Sequence, residues 1–484
     1  MDRLTEHTVP AAIKELARLF QNAGARLYAV GGMVRNPLLG LPVSDVDVCS
    51  SLRPDSVRSL CENNGLRMVP KGIDYGTVEI MVGDGKGTIG VEHTTFRGDT
   101  YAPGGSHRPS AVSFSDSPEE DAFRRDFTVN ALYLDILRGE LIDPTGGMED
   151  IRKRQIRATS KDPREIMRSD GLRLLRMVRF AAELSFSVEE KTLAAAKECI
   201  TGLKDIAFER IRDELFKILL SDARYPKADT EGNPVLDALV TLNEIKALDV
   251  ILPELAKGRG IAQNPVYHAF DVLTHALHAC SEAPPVLDLR LSALLHDIGK
   301  PYAIERNGLS AVTVPDGVRH SPMLYHEKIG ASISREILSR LCCQNELIDT
   351  VSSLVLWHMY DINAKAKEST LRVRFAQWGE EFTKKLICLR EADVRGSGLT
   401  TGPVASAERW KRILKGMKEQ NAPFSVNELQ CDGNDIMEWL GIGPSAAVGE
   451  IKKKLLRHCA KFPKDNTCER LKRIVKGMAE AGGR

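Results

Sequence analysis

The spacing of apolar residues changes partway along this chain, and that change limits the folds it can adopt. Before about residue 145, apolar residues occur in short runs and alternations typical of strands, separated by helical stretches. From about residue 162 onward they recur three and four residues apart, as on one face of a helix. The sequence therefore predicts an α+β protein with a small α/β head and an all-helical remainder.

The same spacing predicts individual elements and boundaries. The head is expected to hold strands at 27–30, 43–48, 78–82, 89–94 and 129–136, and helices at 10–22, 55–65 and 116–125. Later helices are expected at 164–184, 190–200, 207–220, 270–282, 287–298, 326–341 and 346–358. A chain of 484 residues is long enough for about three or four domains. The predicted domains are a head (1–145), a neck (146–225), a helical body (226–400) and a tail (401–484).

The charge of the chain is balanced, with a formal net charge of +1. Contact with nucleic acid would therefore use local patches. Residues 121–180 carry 13 Arg and Lys, and residues 451–484 carry 11 basic and 3 acidic residues. The ten cysteines form no CxxC pair, and no run of about 18 apolar residues occurs. These features predict reduced thiols, a cytoplasmic location and no membrane span.

A glycine pair and two acids lie close together near the start of the head. Gly31 and Gly32 follow a predicted strand, and glycines let backbone N–H groups approach phosphate oxygens. Arg35 follows within reach of the same anion. Asp45 and Asp47 lie two apart on the next predicted strand, so they should share one face. Two such carboxylates suit one or two Mg²⁺ ions, which can activate a hydroxyl and neutralise charge on a phosphate.

From this point several stretches, in order, resemble the class II CCA-adding enzyme and bacterial poly(A) polymerase family of the polymerase-β-like superfamily. They are AVGGMVRNPLLGLPVSDVDV (29–48), HTTFRGDTYAPGGSHRPSAVSF (93–114, similar to a flexible loop), RRDFTVNAL (124–132), LIDPTGGMEDIRKRQIRAT (141–159), SDGLRLLRMVRFAAELSF (169–186) and ERIRDELFKIL (209–219). DGNDIMEWLGIGPSAAVGEI (432–451) resembles the tRNA-contacting C-terminal domain of that family. The resemblance implies a polymerase-β-like nucleotidyltransferase head.

The family motifs also suggest how a nucleotide is held. Arg124 and Arg125 suit a triphosphate, because paired guanidiniums match its several charges. Asp126 and Asn130 can accept from and donate to ribose hydroxyls. In the family, the equivalents of Asp170 and Arg173 read the incoming base. Their spacing of three predicts one helix face, and Asp can accept from the amine that both C and A carry.

Five other charged residues of the head and neck are candidates for a metal-binding or a structural role. Glu92 is a candidate third metal carboxylate on a neighbouring strand. Four charged residues of the neck are expected mainly to brace it: Glu209, Arg210, Asp213 and Glu214.

Two positions depart from the family pattern. The usual Val-Arg-Asp reads Val34-Arg35-Asn36, and the usual Glu-Asp reads Ser169-Asp170. Asn36 keeps polar contacts without charge, and Ser169 cannot replace a carboxylate that orients its neighbours. These changes bear on base choice rather than on metal chemistry.

A second constellation, rich in histidine, lies in the helical body at about 265–395. Its members are His268, His275, His278, His296, Asp297, His326, His358 and Asp393. Imidazoles with carboxylates suit a divalent transition metal. The stretch resembles the HD phosphohydrolase superfamily, which implies His275, His296, Asp297 and Asp393 as ligands of a first metal. His326 and His358 would extend the site towards a second, and the alternative is a metal-binding spacer without catalysis.

The main functional hypothesis is addition of CCA to the 3′ end of tRNA from CTP and ATP, with Mg²⁺ at Asp45 and Asp47. Poly(A) polymerase and A-adding tRNA nucleotidyltransferase share the same motifs and stay open. A hypothesis of another class is an HD phosphohydrolase whose head only binds nucleotide, and a third is an RNA-binding protein without catalysis. No obligate protein partner is inferred.

Overall fold

The structure is a computed structural model, and it describes residues 9–83, 85, 87–100, 111–225, 232–307, 312–314, 317–319, 323 and 325–482. The chain divides into two compact units. The first comprises Met1–Ala256 with Arg340–Cys342, and the second comprises Lys257–Ser339 with Cys343–Arg484. The predicted loop at 93–114 lies partly outside the described residues.

A seven-stranded mixed sheet forms the centre of the head, in the order β3-β4-β5-β2-β1-β8-β9. The strands are β1 Tyr28–Val30, β2 Val46–Ser50, β3 Arg67–Gly72, β4 Thr77–Gly83, β5 Thr88–Thr95, β8 Tyr133–Asp135 and β9 Leu141–Ile142. Strand β2 is parallel to β5. Alternate residues of β4 are buried (Val78, Ile80 and Val82), as expected for a strand with one face against a core.

Helices and short strand pairs surround this sheet. The head adds α1 Ala11–Asn22, α2 Gly32–Leu38, α3 Pro54–Asn63, β6 Arg97–Thr100, β7 Ala111–Phe114 and α4 Pro118–Arg124. The rest of the first unit holds α5 Gly147–Lys153, β10 Gln155–Ile156, α6 Pro163–Ser169, α7 Leu172–Leu184, β11 Ser187–Val188, α8 Glu190–Glu198, α9 Phe208–Leu219, α10 Ser221–Arg224, α11 Pro234–Glu244, α12 Ala247–Ile251 and α13 Pro253–Ala256. Helix α1 buries Ile13, Leu16 and Phe20, the apolar stripe that its sequence predicts.

The second unit is almost entirely helical in its described part. Its elements are α14 Val272–Glu282, α15 Leu287–Leu295, α16 Lys300–Asn307, β12 Val312–Val314, β13 Gly317–Arg319, α17 His326–Arg340, α18 Asn345–Trp357, α19 Glu368–Trp378, α20 Glu380–Gly396, α21 Ala405–Glu419, α22 Gly433–Leu440, α23 Ala446–Lys461 and α24 Cys468–Gly482. One core gathers around Phe375 and Trp410, and a smaller one around Ile436 and Leu471 packs the last helices. No described helix is both long and apolar enough to cross a membrane.

The predicted α+β class is confirmed, and two predicted elements are wrong. Of the strand predicted at 129–136, only Tyr133–Asp135 is a strand, because Thr128–Asn130 forms a 3₁₀ turn. The helix predicted at 164–184 is two helices, interrupted at Asp170 and Gly171. A Cβ on Gly171 would lie 2.3 Å from the Gly202 carbonyl oxygen, so this break brings two backbones into close contact.

A buried ion-pair cluster stabilises the neck. The Nε of Arg179 on α7 lies 2.6 Å from Glu214 of α9, and its Nη1 lies 2.9 Å from Glu183. All three side chains are buried. The prediction that Glu214 braces the neck agrees with this contact.

Glu214→Ala is expected to destabilise the protein by roughly 3 kcal/mol, because it leaves a buried guanidinium with a single carboxylate. Asp213→Ala is the matched control: Asp213 is the neighbouring acid, and its side chain is 56 % exposed. We expect the control to cost less than about 0.5 kcal/mol. Urea unfolding followed by circular dichroism measures both, and equal losses would show that the buried cluster contributes nothing particular.

Candidate nucleotide and metal sites

The glycine turn after β1 separates an acidic group from a basic one. Gly31 has φ +64°, a conformation that glycine adopts without strain. A Cβ on Gly31 would lie 3.8 Å from the Asp47 Oδ2 atom. A Cβ on Gly32 would lie 3.8 Å from Nη2 of Arg35. A side chain at either position would therefore lie in contact with Asp47 or with Arg35.

Asp47 lies on β2 next to Glu92, its register partner on the parallel strand β5. Burial raises the pKa of Asp47 to about 6, and the charges of Glu92 and Asp45 contribute to this rise. A carboxyl group crowded in this way gains when a cation neutralises its charge. Glu92 is thus adjacent to Asp47 on the neighbouring strand, and its carboxylate lies 3.6 Å from the Lys71 ammonium.

The expected position of Asp45 on the strand is wrong. Strand β2 begins at Val46, so the alternation argument does not apply to Asp45. Its side chain is 77 % exposed, accepts from the Ser44 hydroxyl, and lies 3.6 Å from a guanidinium nitrogen of Arg224. Asp45 is therefore a solvated carboxylate in front of the strand.

The two arginines predicted for the triphosphate both contact the fully buried Asp121. Arg124 lies 2.7 Å and Arg125 3.0 Å from the two oxygens of this carboxylate, which also accepts from the Tyr133 hydroxyl at 2.7 Å. Burial alone would raise the pKa of Asp121, but the charges of Arg125 and Arg124 outweigh it and lower the pKa. Asp121 thus fixes the two arginines in place, and an anion bound by their remaining N–H groups would share them with this carboxylate.

Asp126 and Asn130, predicted to contact ribose, belong to a buried polar chain. Asn130 accepts from Arg35 and donates to Oδ1 of Asp126 at 3.1 Å. The other oxygen of Asp126 accepts from Nε of Arg176 at 2.7 Å. These bonds occupy the Asn130 amide and both Asp126 oxygens, so ribose would have to share them.

Asp170 and Arg173, predicted to share a helix face, do not do so. Asp170 lies in the break between α6 and α7, where it accepts from the Leu172 backbone N–H at 3.0 Å and pairs with Arg210 at 2.9 Å. Arg173 lies on α7 and donates to the Ser169 hydroxyl at 2.7 Å and to the Arg124 carbonyl at 2.7 Å. Ser169 therefore does orient Arg173, although without a charge.

A pocket of about 480 Å³ opens beside Arg173. Its lining includes Asp99, Phe123, Arg124, Lys161 and Ser169. Phe123 is 52 % exposed, which is unusual for a large aromatic side chain and leaves its ring available to stack on a base.

The histidine constellation forms two groups of three ligands in the second unit. His275, His296 and Asp393 form one, and Asp297, His326 and His358 form the other, with the ligand atoms of each group within 4.8 Å of one another. Asp297, expected as a ligand of the first metal, has its two oxygens divided between the groups. Oδ2 lies 3.2 Å from His296 and 3.5 Å from His275, whereas Oδ1 lies 3.3 Å from His326 and 3.7 Å from His358.

The histidines are oriented as metal ligands. Three of them place Nδ1 against the carbonyl oxygen of the third preceding residue: His296, His326 and His358. A ring that donates from Nδ1 in this way turns the lone pair of Nε2 towards the two aspartates. Ligand atoms about 2.1 Å from a common metal lie roughly 3.0 to 3.4 Å apart, close to the distances observed here. The residues present therefore fit a bridged pair of divalent cations.

Two further residues of this centre escaped the sequence prediction. The Lys300 ammonium lies 2.5 Å from Asp297 and 2.6 Å from the Gln263 amide oxygen. Lys300 follows in the stretch HDIGK, so its proximity in sequence was a usable signal, whereas Gln263 gave none. Two histidines of the constellation belong to neither group of ligands. His278 stacks on Phe270 at 4.3 Å, and His268 packs against the His275 ring at 4.6 Å.

Comparison with known proteins matches the head and the histidine-rich stretch to two known domain families. A family profile described as "Poly A polymerase head domain" matches residues 27–157, one described as "HD domain" matches 266–395, and "Probable RNA and SrmB- binding site of polymerase A" matches 185–226. The A-adding tRNA nucleotidyltransferase of Deinococcus radiodurans is 32 % identical over 88 % of this chain and 89 % of its own length. The CCA-adding enzyme of Enterococcus faecalis is 42 % identical, over 44 % of this chain and 50 % of its own length.

Solved structures share the fold. The Bacillus stearothermophilus CCA-adding enzyme in complex with CTP matches with a TM-score of 0.67 and 24 % identity, covering 98 % of this chain and 99 % of that one. The Thermotoga maritima CCA-adding enzyme complexed with tRNA matches with a TM-score of 0.59 and 18 % identity, covering 99 % and 98 %.

These findings define a nucleotidyltransferase with a polymerase head and an HD domain. The chain belongs to the family of tRNA nucleotidyltransferases and bacterial poly(A) polymerases. Its class implies dependence on a divalent metal.

Proposed function

We propose that this enzyme adds nucleotides to the 3′ end of tRNA, building CCA from CTP and ATP with Mg²⁺ at the head. The observation that carries the proposal is the position of Asp47, which faces the side-chain-free Gly31 turn and lies next to Glu92. The carboxylates Asp45 and Asp47 would hold the cation, with Glu92 as the third. When bound, the ion supplies charge neutralisation at the phosphate and lowers the pKa of the attacking hydroxyl.

In the proposed reaction, the 3′ oxygen of the RNA forms a bond to the α-phosphorus, and the bond from that phosphorus to the bridging oxygen breaks. Pyrophosphate leaves, and the hydroxyl proton passes to solvent or a carboxylate. Gly31, Gly32 and Arg35 hold the triphosphate, with Arg124 and Arg125 fixed nearby by Asp121. Arg173, with Asp170 in the helix break before it, selects the base that enters the adjoining pocket.

Nucleotide choice is the part of this proposal that a single experiment tests most sharply. The A-adding relative matches along nearly the whole chain, whereas the CCA-adding relatives match over about half of their own length. Purified protein is incubated with Mg²⁺ and tRNA transcripts that lack CCA or only the final A.

We expect a three-nucleotide extension of the first transcript with CTP and ATP together, and one nucleotide on the second with ATP alone. Extension of the second transcript only would identify an A-adding enzyme. A long A-tract with ATP alone would identify a poly(A) polymerase.

The second unit supports a second activity. Two groups of ligands that share one carboxylate suit a two-metal centre, which can orient a phosphate ester and a hydroxide for hydrolysis. We therefore infer a phosphohydrolase at the HD domain, acting on terminal or 2′,3′-cyclic phosphates. Asp297 would bridge the cations, and Lys300 would hold the Asp297 oxygen in place.

A further inference from the structure

A chain of mostly buried hydrogen bonds runs beneath the glycine turn, and within the described residues it contains one arginine that has no direct ion pair. Its members, in order, are Tyr225, Asn36, Arg35, Asn130, Asp126 and Arg176. Its six side chains come from four segments that are distant in sequence, and Arg35 and Asn36 are only 4 % and 2 % exposed. It contains two guanidiniums and one carboxylate, Asp126, which pairs directly with Arg176.

Among the arginines of this region, Arg35 is the one without a directly paired carboxylate in the described structure. Arg176 is paired with Asp126, and the nearby Arg179 is paired with Glu183 and Glu214. Arg35 instead donates to two amide oxygens, those of Asn36 and Asn130, and its guanidinium lies 5.2 Å from the centre of the Phe180 ring. Within the described part of the chain, no carboxylate lies within ion-pair distance of Arg35.

The Asn36 amide carries no charge, and both of its polar atoms make two hydrogen bonds. Its oxygen accepts from Nε and Nη2 of Arg35, at 3.1 and 2.8 Å. Its nitrogen donates to the Pro42 carbonyl and to the Tyr225 hydroxyl, both at 2.9 Å. An aspartate here would have the same shape but would cancel the Arg35 charge and place an oxygen against the Pro42 carbonyl.

We propose that Asn36 sets the affinity of the nucleotide site by leaving the buried charge of Arg35 to be balanced by the phosphates of the bound nucleotide. This inference rests on the proposed binding of a triphosphate at the Gly31–Gly32 turn. The Nη2 atom of Arg35 lies directly behind that turn, 3.8 Å from the position of a Gly32 Cβ. An unbalanced charge in a poorly solvated place attracts an anion more strongly than a paired one does, and the effect grows with the charge of the anion.

The test compares the affinities of α,β-methylene-ATP and AMP for the wild type and for Asn36→Asp by isothermal titration calorimetry. We expect Asn36→Asp to weaken the triphosphate analogue by about tenfold or more and AMP by less than about threefold. Tyr225→Phe is the matched control, because it removes one hydrogen bond of Asn36 and changes no charge. It should bind both ligands within about twofold of the wild type.

Equal binding of the analogue by Asn36→Asp and wild type would overturn the proposal, as would an equal loss in Tyr225→Phe. Arg35→Gln provides a second route if Asn36→Asp does not fold, since it removes the charge directly. Wild-type affinity of Arg35→Gln for the analogue would also overturn the inference. Failure of the wild type itself to bind the analogue would instead contradict the proposed function on which the inference rests.

Discussion

Replacing Asp47 by asparagine is expected to reduce nucleotidyl transfer by roughly a thousandfold and, in the metal-free protein, to increase stability. The loss follows because an amide cannot supply the charged oxygen that a divalent cation requires beside the Gly31 turn. The gain in stability follows from the raised pKa of Asp47, about 6 in the folded protein. The two effects have opposite signs, which a general folding defect cannot produce.

The pH dependence of the second effect has a definite sign. The folded-state pKa of Asp47 lies above that of an unfolded aspartate, about 3.9. Its contribution to stability is therefore complete below about pH 4 and is lost as the pH rises through about 6. At pH 7.5 the ionised carboxylate costs about 3 kcal/mol, and Asp47→Asn removes that cost.

Glu79→Gln is the matched control for Asp47→Asn. Glu79 lies on β4 as the register partner of Glu92, one strand further from the turn, and it pairs with Lys71 at 3.1 Å. We expect this variant to keep transfer within about threefold of wild type and to unfold within about 0.5 kcal/mol of it. Primer extension with saturating Mg²⁺ and urea unfolding in EDTA measure the two quantities. Asp47→Asn retaining a tenth of the wild-type rate would contradict the role given to this carboxylate.

Residues that act with sequence neighbours were predictable, and residues that act across the fold were not. Gly31, Gly32 and Asp47 lie within one short stretch, so their closeness in sequence already indicated one site. Asp121 was not predicted, although it holds both Arg124 and Arg125. Several acids lie at the start of its helix, and nothing in the sequence shows which of them is buried. The Asn36 partner Tyr225 lies 189 residues away, and no local pattern indicates such a contact.

The break at Asp170 and the double contact of Asp297 were both missed for a related reason. A continuous helical periodicity from 164 to 184 concealed the break at Asp170, which is required by the close approach of Gly171 to Gly202. Asp170 therefore pairs with Arg210, 40 residues away, rather than with Arg173. The motif around His296 indicated residues that the structure does bring together. Only the folded arrangement shows that the two oxygens of Asp297 point to different groups of histidines.

Replacing Asp297 by asparagine is expected to empty the HD centre of metal while leaving tRNA extension intact. Asp297 is the one residue in both sets of short contacts within the described HD centre, with Oδ2 near His275 and His296 and Oδ1 near His326 and His358. The amide would lose the negative charge between the cations and would place a nitrogen, a poor ligand, towards one of them. We expect bound transition metal, measured by mass spectrometry after dialysis, to fall at least tenfold.

The loss of phosphohydrolysis is expected to be larger than the loss of bound metal, because two bound cations would orient both the ester and the attacking hydroxide. With 2′,3′-cyclic AMP and p-nitrophenyl phosphate as substrates, we expect Asp297→Asn to lose at least about a hundredfold in kcat/KM. Extension of tRNA should stay within about twofold, because the cation for transfer is bound by carboxylates of the other unit. Loss of both activities together would show that the HD centre is needed for the transferase rather than for a separate reaction.

His278→Gln is the control for Asp297→Asn. His278 lies on α14 with His275, but its ring stacks on Phe270 and is absent from both groups of ligands. Removal of Asp297 also leaves the buried Lys300 ammonium without its carboxylate, so thermal melting must accompany the assays. His326→Gln removes a ligand without disturbing Lys300 and should lose the same hydrolytic activity. If Asp297→Asn and His326→Gln both hydrolyse these esters like wild type, the HD domain is a structural element that merely binds metal.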